Sequence, residues 1–299
     1  MANLKEIRNR ISSTTSTQQI TKAMKLVSAT KLKRAQDAIT RMRPYSEKLQ
    51  GILANLSDSV DDDKLGKYFS DTEANNVLLV VVSSDRGLCG GFNANVVKKV
   101  KSLAIGKYAD QAKSGNLNML VLGKKSMDYL KTTDYNVDQK HIAIFQDLNS
   151  ENAFSTAQHI VDSFIDGTYD KIEIVYNQFV NAATQNLVNE NFLPIKMARM
   201  EAKASSTRSD TGANDYLFEP NKVDILEELI PRSLKTQLYK AMLDSFASEH
   251  GARMVAMDGA TENAGELIKG LKVKYNKARQ AAITNEISEI VGGAMALEA

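Results

Sequence analysis

The chain has 299 residues, 43% hydrophobic and 25% charged, and a formal net charge of +2. That balance is expected of one large or two ordinary globular domains. It excludes a disulfide-stapled scaffold, since Cys89 is the only cysteine, and a membrane-spanning protein, since no apolar run approaches ~18 residues. A lone cysteine fits a reducing compartment. The first residues, Met1 to Glu6, include an early acid and no apolar stretch, so neither a secretory signal nor a transit peptide is expected.

Residues 2–43 hold neither proline nor glycine. Leu4, Ile7, Ile11, Ile20, Met24, Val27, Leu32, Ala35, Ile39 and Met42 recur mostly at intervals of three and four, the period of an amphipathic helix. Forty-two helical residues would reach roughly 63 Å. The short polar run Ser12–Thr17 allows close approach of a second helix, and Pro44 is expected to kink or break this one. Residues 1–50 carry eleven basic and three acidic side chains, a local charge of +8 hidden within the overall +2. A basic helix of this kind suits a solvated face, nucleic acid, a membrane surface or an acidic partner. Tyr45 is the only aromatic residue among the first fifty, which weakens the nucleic-acid reading.

The segments 57–63 and 70–76 are polar and predict loops. Asn76–Ser83 is a β-branched apolar run, the pattern of a buried strand, and Leu117–Leu122 is a second. His141–Phe145 predicts a weaker third strand. Lys171–Val180 predicts a fourth, with residues 185–200 returning beside it. Helical patterns begin near Phe92, follow Gly123, and fill Asn152–Ile165. Alternating strands and helices predict a mostly parallel sheet. Residues 201–215 are small and polar and predict a mobile loop, followed by the apolar patch Tyr216–Pro220.

From Val223 to Val291 apolar residues again recur at helical spacing. Gly259, Gly265 and Gly270 would each weaken an isolated helix by about 1 kcal/mol, so this helix needs a partner. The N-terminal helix is the only other element of sufficient length. The expected fold is therefore α/β, a long antiparallel coiled coil of N- and C-terminal helices with an inserted Rossmann-like α/β domain. The expected domains are 1–60, 75–200 and 216–299.

Gly87-Leu88-Cys89-Gly90-Gly91 follows a strand and precedes a helix, where phosphates bind in nucleotide folds. It lacks the full Gly-x-Gly-x-x-Gly spacing, and Gly123-Lys124-Lys125-Ser126 lacks the earlier glycine of a P-loop, with Asn118 in its place. A tight turn is the plainer reading. Asp85 and Arg86 could form a catalytic pair or a structural one. His141, His159 and His250 are spread along the chain without metal-ligand spacing, and Cys89 has no evident helper for nucleophilic chemistry. Met24, Met254 and Met257 suit a core or a surface that repacks. On residues alone, a nucleotide-dependent enzyme and a basic nucleic-acid-binding scaffold both stay open. The sequence ends in small and apolar residues, Ile283 to Leu297, where a solvated helix would turn polar. Insertion into another protein's apolar socket would remove that liability.

Four motifs resemble one family. They are Ile7-Arg8-x-Arg10-Ile11 with Thr17-x-x-Ile20-Thr21-Lys22-Ala23-Met24-Lys25-x-Val27; Ser84-Asp85-Arg86-Gly87-Leu88-Cys89-Gly90-Gly91; Tyr275-Asn276-Lys277-Ala278-Arg279-Gln280; and Ile283-Thr284-x-Glu286-x-x-Glu289-x-x-x-Gly293-Ala294-x-Ala296. In this order they resemble the gamma subunit of F-type ATP synthase over essentially the whole chain. The resemblance implies a non-catalytic rotor stalk without a cofactor. Its paired helices would turn inside three alpha and three beta subunits. Its α/β domain would sit with the epsilon subunit on the c ring, at the cytoplasmic face of a bacterial membrane. It implies beta-subunit contacts at Met24, Lys25, Cys89, Arg279, Gln280 and Thr284, and a collar tip at Ile290, Val291, Met295 and Leu297. It implies a c-ring foot at Tyr216, Leu217, Phe218 and Glu219. No nucleic acid is implied, and the membrane is met only through the complex.

Overall fold

The computed structural model describes residues 4–56, 63–69, 73–195 and 222–298. They comprise two compact units, Met1–Ala29 with Arg253–Ala299, and Thr30–Ala252. Helix α1, Leu4–Leu56, and the last helix, α7, Lys222–Glu298, each contribute to both units.

The larger unit is built on a five-stranded sheet in the order β3-β2-β1-β4-β5. Its strands are β1 (Val77–Val82), β2 (Leu117–Leu122), β3 (Asn136–Asp138), β4 (Lys171–Phe179) and β5 (Gln185–Leu193). The first four run parallel and β5 returns antiparallel to β4, pairing Tyr176 with Val188 and Phe179 with Gln185. The sheet order reverses at β1, which lies between β2 and β4, as in doubly wound nucleotide folds. All six residues of β1 are buried, so both faces of the strand are covered.

Alternation sorts the side chains into two cores. Val77, Leu79, Val81, Met119 and Val121 meet α3 (Phe92–Ile105) and α5 (Lys124–Leu130) through Val96, Val100 and Leu130. On the other face, Leu78, Val80, Val82, Ile172 and Ile174 meet α6 (Ser150–Ile165) through Ala157, Ile160 and Val161. Leu49 and Leu53 of α1 and Leu226, Ile230, Leu234 and Leu238 of α7 join this second core. Each fully buried Val, Leu or Ile contributes about 1.5–3 kcal/mol. Two short helices, α2 (Asp63–Phe69) and α4 (Ala109–Lys113), complete the element order.

Two expectations are corrected. His141–Phe145 is not a strand; the third strand is Asn136–Asp138, paired with Asn118–Leu120. The backbone after β3 closes on itself instead, with Ile142 N donating to Gln139 O, Ile144 N to His141 O and Gln146 N to Ala143 O. Ile144 fills the core, and Phe145 stacks on Phe246 at 6.2 Å, so the apolar residues are used without strand pairing. Nor does Pro44 break α1, which continues to Leu56. Thr40, Arg41, Pro44 and Tyr45 lie on an exposed stretch, where water can satisfy the carbonyl left without its amide donor. Residues 57–62, 70–72 and 201–215, expected as loops, lie outside the described residues, and Asp63 instead opens α2.

Candidate functional site

In the smaller unit the early part of α1 pairs with the later part of α7. Arg8 Nη2 donates to Tyr275 Oη at 2.9 Å, and its guanidinium lies 5.9 Å from that ring. Thr21 and Thr261 share a hydroxyl hydrogen bond of 2.8 Å, and Gln18 Nε2 donates to Thr261 O at 3.3 Å. Lys25 Nζ reaches Asp258 Oδ1 at 2.6 Å. Rising numbers on α1 meet falling numbers on α7, so the pair is antiparallel. The seam is thin in apolar residues, with Ile7, Met257, Ala264, Ile268 and Leu271 buried beside Thr21 and Ser28. The long Gln18 side chain crosses to the second helix: a Cβ on Gly265 would stand 3.0 Å from Gln18 Nε2. Gly259 and Gly270 face open space, and at Gly265 only the flexible end of Gln18 would have to give way to a side chain.

Arg8 and Lys25 are 17 positions apart on α1, and so are Tyr275 and Asp258 on α7. Continuing that register sets Leu4 opposite position 279. Beyond it, α7 has no α1 residue opposite it among the described residues. Arg279, Gln280 and Thr284 are exposed at this boundary, and every residue from 283 to 295 is exposed. Ile283, Ile287, Ile290 (71% exposed), Val291 and Met295 present a bare apolar surface. Leu297 lies in the same helix. A solitary helix of this length is marginal in water, and a contiguous apolar surface of this kind marks an interaction site.

The other expected contacts are dispersed. Met24 is half-buried, and Lys25 is already held by Asp258. Lys22, Lys31, Lys33 and Arg34 are exposed cations along that helix stretch. Tyr216, Leu217, Phe218 and Glu219 lie outside the described residues.

Cys89 is buried, at 1% exposure. It lines the inside of the strand-end loop with Ser84 and Asn93, whose Nδ2 donates to Ser84 Oγ at 2.7 Å and to Cys89 Sγ at 3.3 Å. Asn93 Oδ1 accepts from Ser84 N at 3.1 Å. The hollow that a phosphate would use is thus filled by the loop's own side chains. Its exposed crest is Leu88, whose φ of 62° lies in the left-handed region. Asp85 serves the neighbouring loop, its Oδ1 accepting from Lys124 N at 3.3 Å at the start of α5. Gly123 closes that junction, where a Cβ would stand 2.3 Å from Ser83 O.

Several partners escaped the sequence. Asp258, Thr261 and Tyr275 become legible only once the antiparallel register is known. His141 and His159, distant in sequence, bring their ring centroids to 5.6 Å. Burial, with His159 adding to it, lowers the His141 pKa. His250 is buried against the edge of Phe246. Among the described residues no group of three or more His, Cys, Asp or Glu could hold a metal ion.

A family model described as ATP synthase matches residues 3–297. The chain is 54% identical to the ATP synthase gamma chain of Christiangramia forsetii over 99% of both chains. It is 44% identical to that of Chlorobaculum tepidum over the whole of both. Its fold is similar to a chain of the Tetrahymena thermophila mitochondrial ATP synthase central stalk and c ring, with a TM-score of 0.57 and 27% identity, covering 81% of this chain and 99% of that one. A chain of the Euglena gracilis mitochondrial enzyme shares the fold with a TM-score of 0.62 at 22% identity, over 98% of this chain and 94% of that one. The chain belongs to the family of ATP synthase gamma chains, the non-catalytic subunits of the central stalk.

Proposed function

We propose that this protein is the rotor shaft of a bacterial ATP synthase, carrying proton-driven rotation of a c ring to three alpha and three beta subunits that make or hydrolyse ATP around it. The single observation that carries this reading is the part of α7 that outruns α1, a helix exposed on all sides from 283 to 295 and apolar along much of its length. Such an end is stable only inside a sleeve supplied by other chains. Arg279, Gln280 and Thr284, where pairing stops, are the positions from which beta subunits would be gripped. Ile290, Val291, Met295 and Leu297 would turn in the collar. Tyr216 to Glu219 would form the foot on the c ring, with the epsilon subunit beside it.

Lys22, Lys31 and Lys33 would meet the beta subunits through weak exposed ion pairs, each worth at most about 1 kcal/mol, with Met24 as an apolar contact beside them. Weak pairs suit contacts that must break on every turn. Lys25 would join them only by leaving Asp258. Cys89 would act through its exposed neighbour Leu88. No helix among the described residues is long and apolar enough to cross a membrane, and the membrane would be met through the c ring, at its cytoplasmic face.

The test is co-expression with the alpha and beta subunits of the same organism. The expected product is a complex of three alpha, three beta and one copy of this chain that rotates an attached probe during ATP hydrolysis. A chain that purifies alone from such cells, or that hydrolyses ATP by itself, contradicts the proposal.

A further inference from the structure

We propose that His141 and His159 form a binding site for a borderline divalent transition-metal ion, Cu2+ or Zn2+, which would tie the turn after β3 to helix α6. The spacing is that of two imidazoles sharing an ion. A metal about 2.0–2.1 Å from a ring nitrogen lies about 3.2 Å from that ring's centroid, so two ligating rings at tetrahedral to trigonal angles stand about 5.2–5.6 Å apart. The centroids here are 5.6 Å apart, with the rings inclined at 46°.

The hydrogen bonds around His141 select the tautomer. Thr156 Oγ1 lies 3.0 Å from Asn152 O and 3.2 Å from His141 Nδ1. The carbonyl can only accept, so the single hydroxyl proton of Thr156 is committed to it. Nδ1 of His141 must then be the donor, which leaves the lone pair on Nε2. A ligating histidine whose second nitrogen is held by a hydrogen bond is the usual arrangement at metal sites. His141 also lines a groove with Asp147, Asn152 and Ser155, through which water reaches its ring. Lys140, at the same rim, directs its ammonium toward Asp138 at 4.0 Å. Two imidazoles with water completing the shell make an exchangeable site, distinct from a closed structural zinc centre. Imidazole ligation favours Cu2+ over Zn2+.

The test is titration of the full-length chain with each ion in a non-coordinating buffer, with calorimetry, Cu2+ electron paramagnetic resonance and melting curves. Expected are one ion per chain, hyperfine structure from two nitrogens, and a melting temperature raised by about 2–5 °C at saturation. His159 is exposed on a helix, so His159→Gln should fold as the parent does. It and His141→Gln should each weaken binding by more than tenfold. Thr156→Val, which keeps both imidazoles but removes the acceptor, should weaken it by about tenfold. Undiminished one-to-one binding in His159→Gln, or a copper spectrum without two nitrogens, overturns the site. Undiminished affinity in Thr156→Val, with an unshifted metal-free melting curve, overturns the assignment of the tautomer.

Discussion

Gly123 has the least room for a side chain of the glycines described. Its φ is +105°, and a Cβ there would meet the Ser83 carbonyl oxygen at 2.3 Å. Neither backbone can yield, because Ser83 N bonds Leu122 O at 2.7 Å and Gly123 N bonds Ile142 O at 3.2 Å. Gly123→Ala should therefore cost about 3 kcal/mol or more, read as a lower urea midpoint; an unchanged midpoint contradicts the contact. Asp244 is a residue of the opposite kind, tolerated at a cost. Burial raises its pKa to about 6, with Lys240 and Arg43 pulling it back and Glu190 pushing it further. The folded chain then holds this proton to a higher pH than the unfolded chain, whose ordinary value is 3.8. Stability is thus lost as pH rises from about 4 to about 6 and the loss is complete above that window. Asp244→Asn should stabilise the protein by about 1–3 kcal/mol at pH 7.5, with the gain shrinking toward pH 4. A gain that grows on acidification would refute this account. Glu173 contrasts with it: although burial favours its neutral form, hydrogen bonds from Lys107 and Asn189 hold its pKa below the ordinary value.

At the scale of elements, what the sequence disclosed followed how burial is arranged. Runs such as Val77–Val82 are legible because every residue is buried, whichever face it takes. Strand β3 was not, since Asn136–Asp138 is three residues long and two of them are polar, and its place is decided by pairing with the edge of β2. The run His141–Phe145 had the better strand composition and lost, because its apolar side chains find burial from a turn. The two long helices were legible by period, and their pairing by elimination. The register was not, since the apolar stripe of Met257, Ala264, Ile268 and Leu271 fits several offsets, and the polar contacts of Arg8, Gln18, Thr21 and Lys25 that fix it carry no periodic signal. Of the candidate site, the apolar positions 283–295 were legible from composition and Arg279 and Gln280 only from the family resemblance, whereas the burial of Cys89 depends on Asn93 and Ser84 folding back on it. Helix α7 should also differ in stability along its length. Amides of 280–298 should exchange with deuterium far faster than those of 257–275 in the isolated chain, and slow in the assembled complex. Equal protection throughout in the isolated chain would show that the end needs no sleeve.

At the scale of the molecule, the proposed drive point and the proposed bearing make opposite demands. Arg279 and Gln280 stand exposed where the helix pair ends, and a directional grip there would use charge-assisted hydrogen bonds of about 1.5–3 kcal/mol. Arg279→Ala should therefore lower ATP turnover in the reconstituted complex by about tenfold or more without loss of assembly. Removing residues 295–299 should leave turnover within about twofold, because apolar sliding contacts are non-directional. Equal losses from both changes would mean that the tip also transmits torque. The same bare end has a consequence for cells rather than for rotation. A chain made in excess of its partners carries a fraying, apolar terminal helix, and such termini are favoured entry points for proteases. Assembly would hide that segment and orphan copies would keep it on view, so the feature proposed to turn in the collar would also mark unassembled copies for removal.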